Sequence, residues 1–345
     1  MKILVTGGAG FVGSHVAEFY GKRECDVIVL DNLSRGKLLN KAQASTHYNW
    51  DYLAGLPSTR RVKGDICDFE TVKSLVRSVD VVIHTAAQTA VTTSVINPAA
   101  DFRANAIGTF NVLEAVHQAK KPPSIVICST NKVYGENVNR IGLKELKTRY
   151  AFESAFRSGI PETLGVDLCE HTPYGCSKLT SDLYAQDYAR LYGLKVGVFR
   201  MSCIYGTRQF GVEDQGWVAW FVIAAMMKRP VTIYGDGKQV RDVLWVDDLI
   251  RAYDLFLRSK QRHLVLNVGG GPQNTLSLLE LVSLLKAEGL SLKLRYSSWR
   301  PSDQKVYISD IRKASSQLHW RPEVAPRKGV LKLIEWVKRK RNLFH

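Results

Sequence analysis

The chain has 345 residues, 45% of them hydrophobic, with 48 Lys and Arg against 32 Asp and Glu, for a formal charge of +16. That size supports one large domain or two sharing a cleft; no apolar run reaches the length of a membrane span, and the cysteines at 25, 67, 128, 169, 176 and 203 form no CxxC pair or His-rich cluster that would suggest a zinc site or a disulfide framework. The basic excess would suit nucleic acid, but no nucleic-acid motif or interleaved aromatic platform accompanies it, so the expectation is no nucleic acid, no membrane, no metal and, with no secretory leader ahead of the first strand, a cytoplasmic location.

Lys2 to Val5 is a short apolar run that leads into Thr6-Gly7-Gly8-Ala9-Gly10-Phe11-Val12-Gly13 and then a helical pattern through Val16, Phe19 and Tyr20. Strand, glycine loop and helix in that order form a dinucleotide cradle. Glycines allow positive φ and close approach to a pyrophosphate, and the helix N-terminus attracts its charge. A second apolar run, Val27 to Leu30, ends in Asp31, at the spacing where a carboxylate meets ribose hydroxyls. Asp31 would repel a 2′-phosphate, so NAD is expected ahead of NADP, although Arg35 nearby leaves room for the latter.

Alternation continues with strands at 61–65, 80–86 and 124–129 and helices at 69–77 and 98–119. Repeated β and α units imply an α/β protein with a doubly wound parallel sheet. Near-continuous apolar strands such as Val79-Asp80-Val81-Val82-Ile83 fit burial on both faces. Ligand residues should gather at the strand ends, where Asp65 and Ile66, then Ala86, Ala87 and Gln88, then Thr130 are found.

The segment Thr172-Pro173-Tyr174-Gly175-Cys176-Ser177-Lys178 predicts a helix capped by Thr172 with Pro173 in its first turn. Tyr174 and Lys178 then project from one face. A phenol is a poor base at neutral pH, but a neighbouring ammonium favours the phenolate and brings proton transfer from a sugar hydroxyl within range. A strand at 195–200 follows, and beyond Gly206 the alternation loosens into a smaller C-terminal α/β lobe. We expect residues 1–204 and 241–268 to form the nucleotide lobe, and 205–240 and 269–345 the other.

The combination of TGGAGFVGS, Asp31, His84-Thr85-Ala86-Ala87, Val133-Tyr134-Gly135, Tyr174 with Lys178, and Arg241-Asp242 resembles the extended short-chain dehydrogenase/reductase family of nucleotide-sugar enzymes, over nearly the whole chain. The resemblance implies a Rossmann lobe for NAD and a C-terminal lobe for a nucleoside diphosphate sugar. It maps the catalytic group onto Thr130, Tyr174 and Lys178. Thr130 would hydrogen-bond the reacting hydroxyl, Tyr174 would exchange its proton, and Lys178 would lower the tyrosine pKa and hold the nicotinamide ribose. NAD would lie against Gly7, Gly10, Phe11, Val12, Gly13, Asp31, Asn32, Ser34, Arg35, Asp65, Ile66, Ala86, Ala87, Gln88, Asn105, Ser129, Tyr174, Lys178 and Met201. The nucleotide sugar would meet Gln88, Thr130, Asn131, Arg208, Gln209, Gln215 and Trp217, with Arg241 and Arg300 on its diphosphate. An internal ion pair is the alternative for either arginine, and a core position, with Trp220 and Phe221 at helical spacing, is the alternative for Trp217.

Family dehydratases carry Asp-Glu directly after the threonine, where this chain has Asn131 and Lys132, so water elimination is not expected. The strings STNKVYG, QTAVTTS, TPYGCSK and GKQVRD are similar to those of the branch that inverts C2 of CDP-linked hexoses. Cys203 stands where 4-epimerases place an asparagine before Val-Tyr-Gly. The reading is therefore NAD-dependent epimerisation through a keto sugar, with a CDP-hexose favoured. A UDP-hexose 4-epimerase or a decarboxylase is the alternative, and a non-catalytic NAD sensor a distant one. The family's usual pairing helices correspond to 98–119 and 173–191, so a homodimer or homotetramer is expected.

Overall fold

The computed structural model describes residues 1–35, 47–300 and 303–344; Pro301 and Ser302 of the Arg-Pro-Ser-Asp string lie outside them. The chain divides into two compact units, one of residues 1–133, 172–200 and 250–266, the other of 134–171, 201–249 and 267–345.

The first unit is organised by a seven-stranded sheet. Its strands are β1 (Lys2–Thr6), β2 (Asp26–Asp31), β3 (Thr59–Lys63), β4 (Val81–His84), β5 (Ser124–Thr130), β8 (Val196–Met201) and β12 (His263–Val268), in the order β12-β8-β5-β4-β1-β2-β3. β1 pairs in parallel with β2 on one side and β4 on the other, Thr6 standing opposite Leu30 and His84. The strand order reverses between β1 and β4, which opens a crevice at their carboxyl ends. Burial of the apolar runs drives this arrangement. Leu4, Val82, Ile125, Ile127, Val196 and Val198 pack under the helices Phe69–Val76, Gly108–His117 and Pro173–Leu191. Each fully buried aliphatic side chain contributes roughly 1.5–3 kcal/mol relative to exposure.

Two elements of this unit bear on the site. The helix Pro173–Leu191 starts as expected, with the Thr172 hydroxyl accepting from the Gly175 N–H at 3.3 Å and Pro173 in the first turn. The single helix expected over 98–119 is instead three pieces, Pro98–Phe102, a π-helical turn Arg103–Ile107, and Gly108–His117. At this break a side chain on Gly108 would have its Cβ 2.3 Å from Ile66 Cδ1. The Asn105 carbonyl accepts there from the Thr109 and Ser181 hydroxyls, at 2.6 and 2.8 Å.

The second unit holds β9 (Cys203–Tyr205), β11 (Val240–Trp245), β13 (Thr275–Ser277) and β15 (Val306–Tyr307) in one sheet, and β10 (Pro230–Tyr234) parallel to β14 (Lys293–Ser297) in another. It also contains a hairpin, β6 (Leu143–Glu145) with β7 (Tyr150–Phe152), that the sequence did not announce. Arg149 anchors the hairpin to Glu280, donating from Nε and Nη2 at 2.7 and 2.6 Å. Among the described residues no helix is long and apolar enough to cross a membrane.

Candidate active site

The glycine loop meets the end of β4 at the reversal point of the sheet. Gly7 has φ +69°, and a Cβ on it would lie 2.5 Å from Ala86 Cα and N, so only glycine fits there. A Cβ on Gly13 would lie 2.4 Å from the Gly7 carbonyl oxygen. The helix Phe11–Gly21, which also carries Val12, begins at Gly10 with no side-chain cap, so its N-terminal end is left to an anion. Asp31 ends β2 and reaches back to the loop, its Oδ2 accepting from the Ala9 N–H at 3.0 Å and its Oδ1 from the Leu33 N–H at 2.8 Å. Burial pushes the Asp31 carboxyl above its ordinary range, against the pull of those two bonds and of the Arg35 charge. Asn32 donates to Asp65 at 2.9 Å and accepts from the Ser34 N–H at 3.0 Å. An uncapped helix end, a cradle that admits no Cβ and a carboxylate closing the loop together fit a dinucleotide.

Thr130 and Tyr174 come together. Both residues are 8% exposed, and Thr130 lowers the proton affinity of the Tyr174 phenol; the Thr130 hydroxyl itself donates to Asn131 Oδ1 and accepts from the Lys132 N–H, each at 3.3 Å. Lys178, four residues along the same helix, donates from Nζ to the Cys128 carbonyl oxygen on β5 at 2.6 Å. The expected lowering of the tyrosine is not what the protein alone displays. Burial pushes the phenol up to about 12, Thr130 opposes this, and Asp101 and Cys128 add to it. Burial also pushes the Lys178 ammonium down, while Cys128, Asp182 and Asp101 support its charge. Asp182, fully buried, accepts from Ser129 Oγ at 2.6 Å and from Arg200 at 3.0 Å. Ser129 is therefore engaged behind the lysine.

Gln88 and Asn105 are turned inward. The Gln88 amide donates to the Ala90 carbonyl oxygen at 2.8 Å and to Asp101 Oδ1 at 2.9 Å. The Asn105 side chain binds the Gln88 backbone on both sides, accepting at 2.8 Å and donating at 3.0 Å. Ala87 follows β4, Ile66 is buried after β3, Met201 ends β8, and Asn131, half-buried, begins the turn after β5. Asp101, Ser94 and Ser177, which the sequence reading passed over, tie this segment to the catalytic helix. Only the proximity of Ser177 to Tyr174 in the sequence could have signalled them.

In the second unit, Arg241 donates to Asp303 Oδ1 at 2.7 Å and to the Val240 carbonyl oxygen at 2.9 Å. Arg300 pairs with Asp214 at 2.7 Å and lies 3.9 Å over the Tyr234 ring. Both arginines thus carry an internal ion pair. Gln209 donates to the Ile204 carbonyl oxygen at 3.1 Å, Gln215 exchanges backbone bonds with Val212, and Arg208 is buried with φ +57°. The Trp217 indole N–H points to Cys203 Sγ at 3.3 Å and its ring packs edge-on to Phe221.

Residues 3–269 match the model of the NAD dependent epimerase/dehydratase family. The chain is 42% identical to the CDP-paratose 2-epimerase of Salmonella typhi over 97% of its own length and 99% of that protein. Among solved structures it is similar to the UDP-glucose 4-epimerase of Thermotoga maritima with UDP-glucose, at TM-score 0.78 and 32% identity, covering 99% of both chains. It is also similar to the UDP-glucuronic acid 4-epimerase of Bacillus cereus with UDP-glucuronic acid and NAD, at TM-score 0.80 and 27% identity, covering 99% of this chain and 100% of that one.

Proposed function

Because the chain belongs to the NAD dependent epimerase/dehydratase family and is an NAD-dependent enzyme of nucleotide sugars, we propose that it inverts C2 of a CDP-hexose, converting CDP-paratose to CDP-tyvelose. The similarity to the Salmonella enzyme, which runs along the whole of both chains, carries this reading. NAD, held by the glycine loop and Asp31, would supply the redox chemistry, reversible hydride exchange with the sugar carbon.

The chain's own residues do the rest. Thr130 and Tyr174, the first lowering the proton affinity of the second, receive the 2-hydroxyl, and Tyr174 takes its proton and later gives it back. Lys178, held on the Cys128 carbonyl, keeps a positive charge behind the phenol and reaches the nicotinamide ribose. Asp31 and the uncapped helix end hold the adenosine half of the cofactor. Arg241 and Arg300 take the diphosphate, since each guanidinium has five donors and one carboxylate partner does not exhaust them. In the second unit Arg208, Gln209, Gln215 and Trp217 meet the nucleotide sugar, and in the first unit Asn131 and Gln88 do so.

The protein functions as a homodimer at least. Phe110, Leu183, Tyr184, Leu191 and Tyr192 are 41%, 49%, 46%, 67% and 45% exposed on the helices Gly108–His117 and Pro173–Leu191 and at the end of the latter. An apolar face of this kind marks an interaction surface.

The test is incubation of the NAD-loaded enzyme with CDP-paratose, CDP-tyvelose, UDP-glucose and UDP-galactose in deuterated water, followed by NMR of the sugar protons. Interconversion of the CDP pair without deuterium at C2 supports inversion by hydride return. Turnover of the UDP pair alone moves the chemistry to C4.

A further inference from the structure

We propose that Asp101 is a positioning residue for the reaction, its buried carboxylate joining Gln88 to Ser177 and so fixing the first turn of the helix that carries Tyr174. The proposal rests on the epimerase reading above only in supposing that Tyr174 moves the proton.

Asp101 is 1% exposed, an unusual place for a carboxylate unless it is fully hydrogen-bonded. Three donors converge on its two oxygens. Gln88 Nε2 and Asn105 Nδ2 donate to Oδ1 at 2.9 and 3.2 Å, and Ser177 Oγ donates to Oδ2 at 2.5 Å. An ionised carboxylate only accepts, so this set of donors matches Asp in its charged form. Asparagine would keep its oxygen for Gln88 and Asn105 but turn its amide nitrogen to Ser177 Oγ, so that the serine would have to accept where it now donates.

The network ends on the catalytic turn. Ser177 Oγ lies 3.1 Å from the Tyr174 carbonyl oxygen and takes a further bond from Asn105 Nδ2 at 3.0 Å. The Tyr174 N–H donates to Ser94 Oγ at 3.1 Å. The turn is thus held by polar ties from the segment 88–105 as well as by its own helix, and a shift of about 1 Å in a reacting group costs on the order of 100-fold in rate.

Asp101 also contributes charge. The groups that face the Tyr174 phenol are Thr130 and Cys128 from β5 and Asp101 from the helix Pro98–Phe102, while Lys178 stands on its own helix. Lys178 in turn faces Cys128, Asp182, Asp101 and the neutral ring of His84. The Asp101 charge raises the proton affinity of Tyr174, so neutralising it favours the phenolate.

The experiment compares NAD-loaded wild type, Asp101→Asn and Ser177→Ala. For Asp101→Asn we expect kcat on the CDP sugar to fall about 10- to 100-fold with KM little changed, and the acid limb of the kcat/KM profile to move about one pH unit lower. For Ser177→Ala we expect a fall of about tenfold with the acid limb in place, since the carboxylate stays. A folded, NAD-loaded Asp101→Asn enzyme with wild-type kcat and an unmoved acid limb overturns the proposal. If Asp101→Asn does not fold, wild-type kcat in Ser177→Ala overturns it instead. If wild type turns over no nucleotide sugar, the epimerase reading fails separately. The phenolate absorbance of NAD-loaded Asp101→Asn, measured against the same protein with Tyr174→Phe, then decides, and a phenolate no easier to form than in wild type sinks the role of Asp101.

Discussion

Lys178 Nζ donates to the carbonyl oxygen of Cys128 across 2.6 Å, which holds the ammonium against β5 two residues before Thr130. A lysine 3% exposed carries a buried charge, which this bond answers together with the charges of Asp182 and Asp101. With it, the side chain is fixed in place while the Tyr174 phenol, pushed up to about 12 by burial, stays protonated in the protein alone. The proton carrier and the cation are thus four residues apart on one helix, each buried.

Replacing Tyr174 by Phe therefore removes the proton carrier but little of the packing. NAD should stay bound, because the glycine loop and Asp31 are untouched. Turnover should drop by roughly 100- to 10,000-fold, the usual contribution of a positioned acid–base group. Steady-state kinetics with cofactor content measured on the same sample checks this, and activity within a few-fold of wild type removes Tyr174 from its role.

Much of this was legible in the residues, for identifiable reasons. Strands buried on both faces must be continuously apolar, so the β/α alternation could be read, and the Thr-Pro start of the catalytic helix is a local signal that capping chemistry fulfils. Asp101 was not legible. An Asp in the first turn of Pro98–Phe102 reads as an ordinary acid at a helix N-terminus, and its burial comes from Ser177, 76 residues away. The carboxylate partners of Arg241 and Arg300 were hidden in the same way. The π-helical turn was hidden because helical periodicity runs through it, and the hairpin 143–152 because its anchor, Glu280, is distant in sequence.

His84 gives a pH prediction. Its ring lies between Thr6 Oγ1 at 2.8 Å and Thr109 Oγ1 at 3.0 Å, and burial, with the Lys178 charge, pushes it from 6.5 to about 3. The folded state keeps it neutral while the unfolded chain takes up a proton below 6.5, so its contribution is lost as pH falls from 6.5 to about 3. The loss is at most about 1.4 kcal/mol per pH unit from this group. Denaturant unfolding at pH 7, 6 and 5 should show a shallower decline for His84→Gln than for wild type. Equal slopes would mean that other groups govern acid stability.

Gly7→Ala tests the cradle. The new methyl would meet the Ala86 backbone at 2.5 Å from a residue at φ +69°, and backbone cannot move aside as a flexible side chain can. The variant should lose about 1 kcal/mol or more to conformation alone and bind NAD at least tenfold more weakly. Thermal unfolding with and without NAD reads both effects. Unaltered NAD affinity would place the cofactor elsewhere.

Asp31→Ala should narrow the preference for NAD over NADP. The carboxylate stands at the end of β2, fixed by the Ala9 and Leu33 amides, and in the proposed function it meets the ribose hydroxyls and would repel a 2′-phosphate. Titration with both cofactors should show NAD weakened more than NADP. An unchanged ratio would assign the discrimination to another residue.

The last prediction concerns assembly. Phe110 packs edge-on to Tyr184 and to the buried Tyr188, and the His117 ring stacks on Tyr192 at 3.8 Å, so the exposed aromatic rings are held by ring contacts. A stable interface buries about 800 Å² per partner, and an aromatic side chain can supply about 150–250 Å² of it. The exposed parts of Phe110, Leu183, Tyr184, Leu191 and Tyr192 supply the apolar centre of such an interface, set against the same face of a second copy as a two-fold axis would place it, and neighbouring surface completes the area. Leu183→Glu with Leu191→Glu puts like charges across that axis without touching the buried side of either helix. Sedimentation at micromolar concentration should give a dimer or larger for wild type and a monomer for the double variant, with NAD still bound to both. A wild-type monomer would leave this face without a partner copy, and an unchanged assembly in the variant would move the interface to another surface.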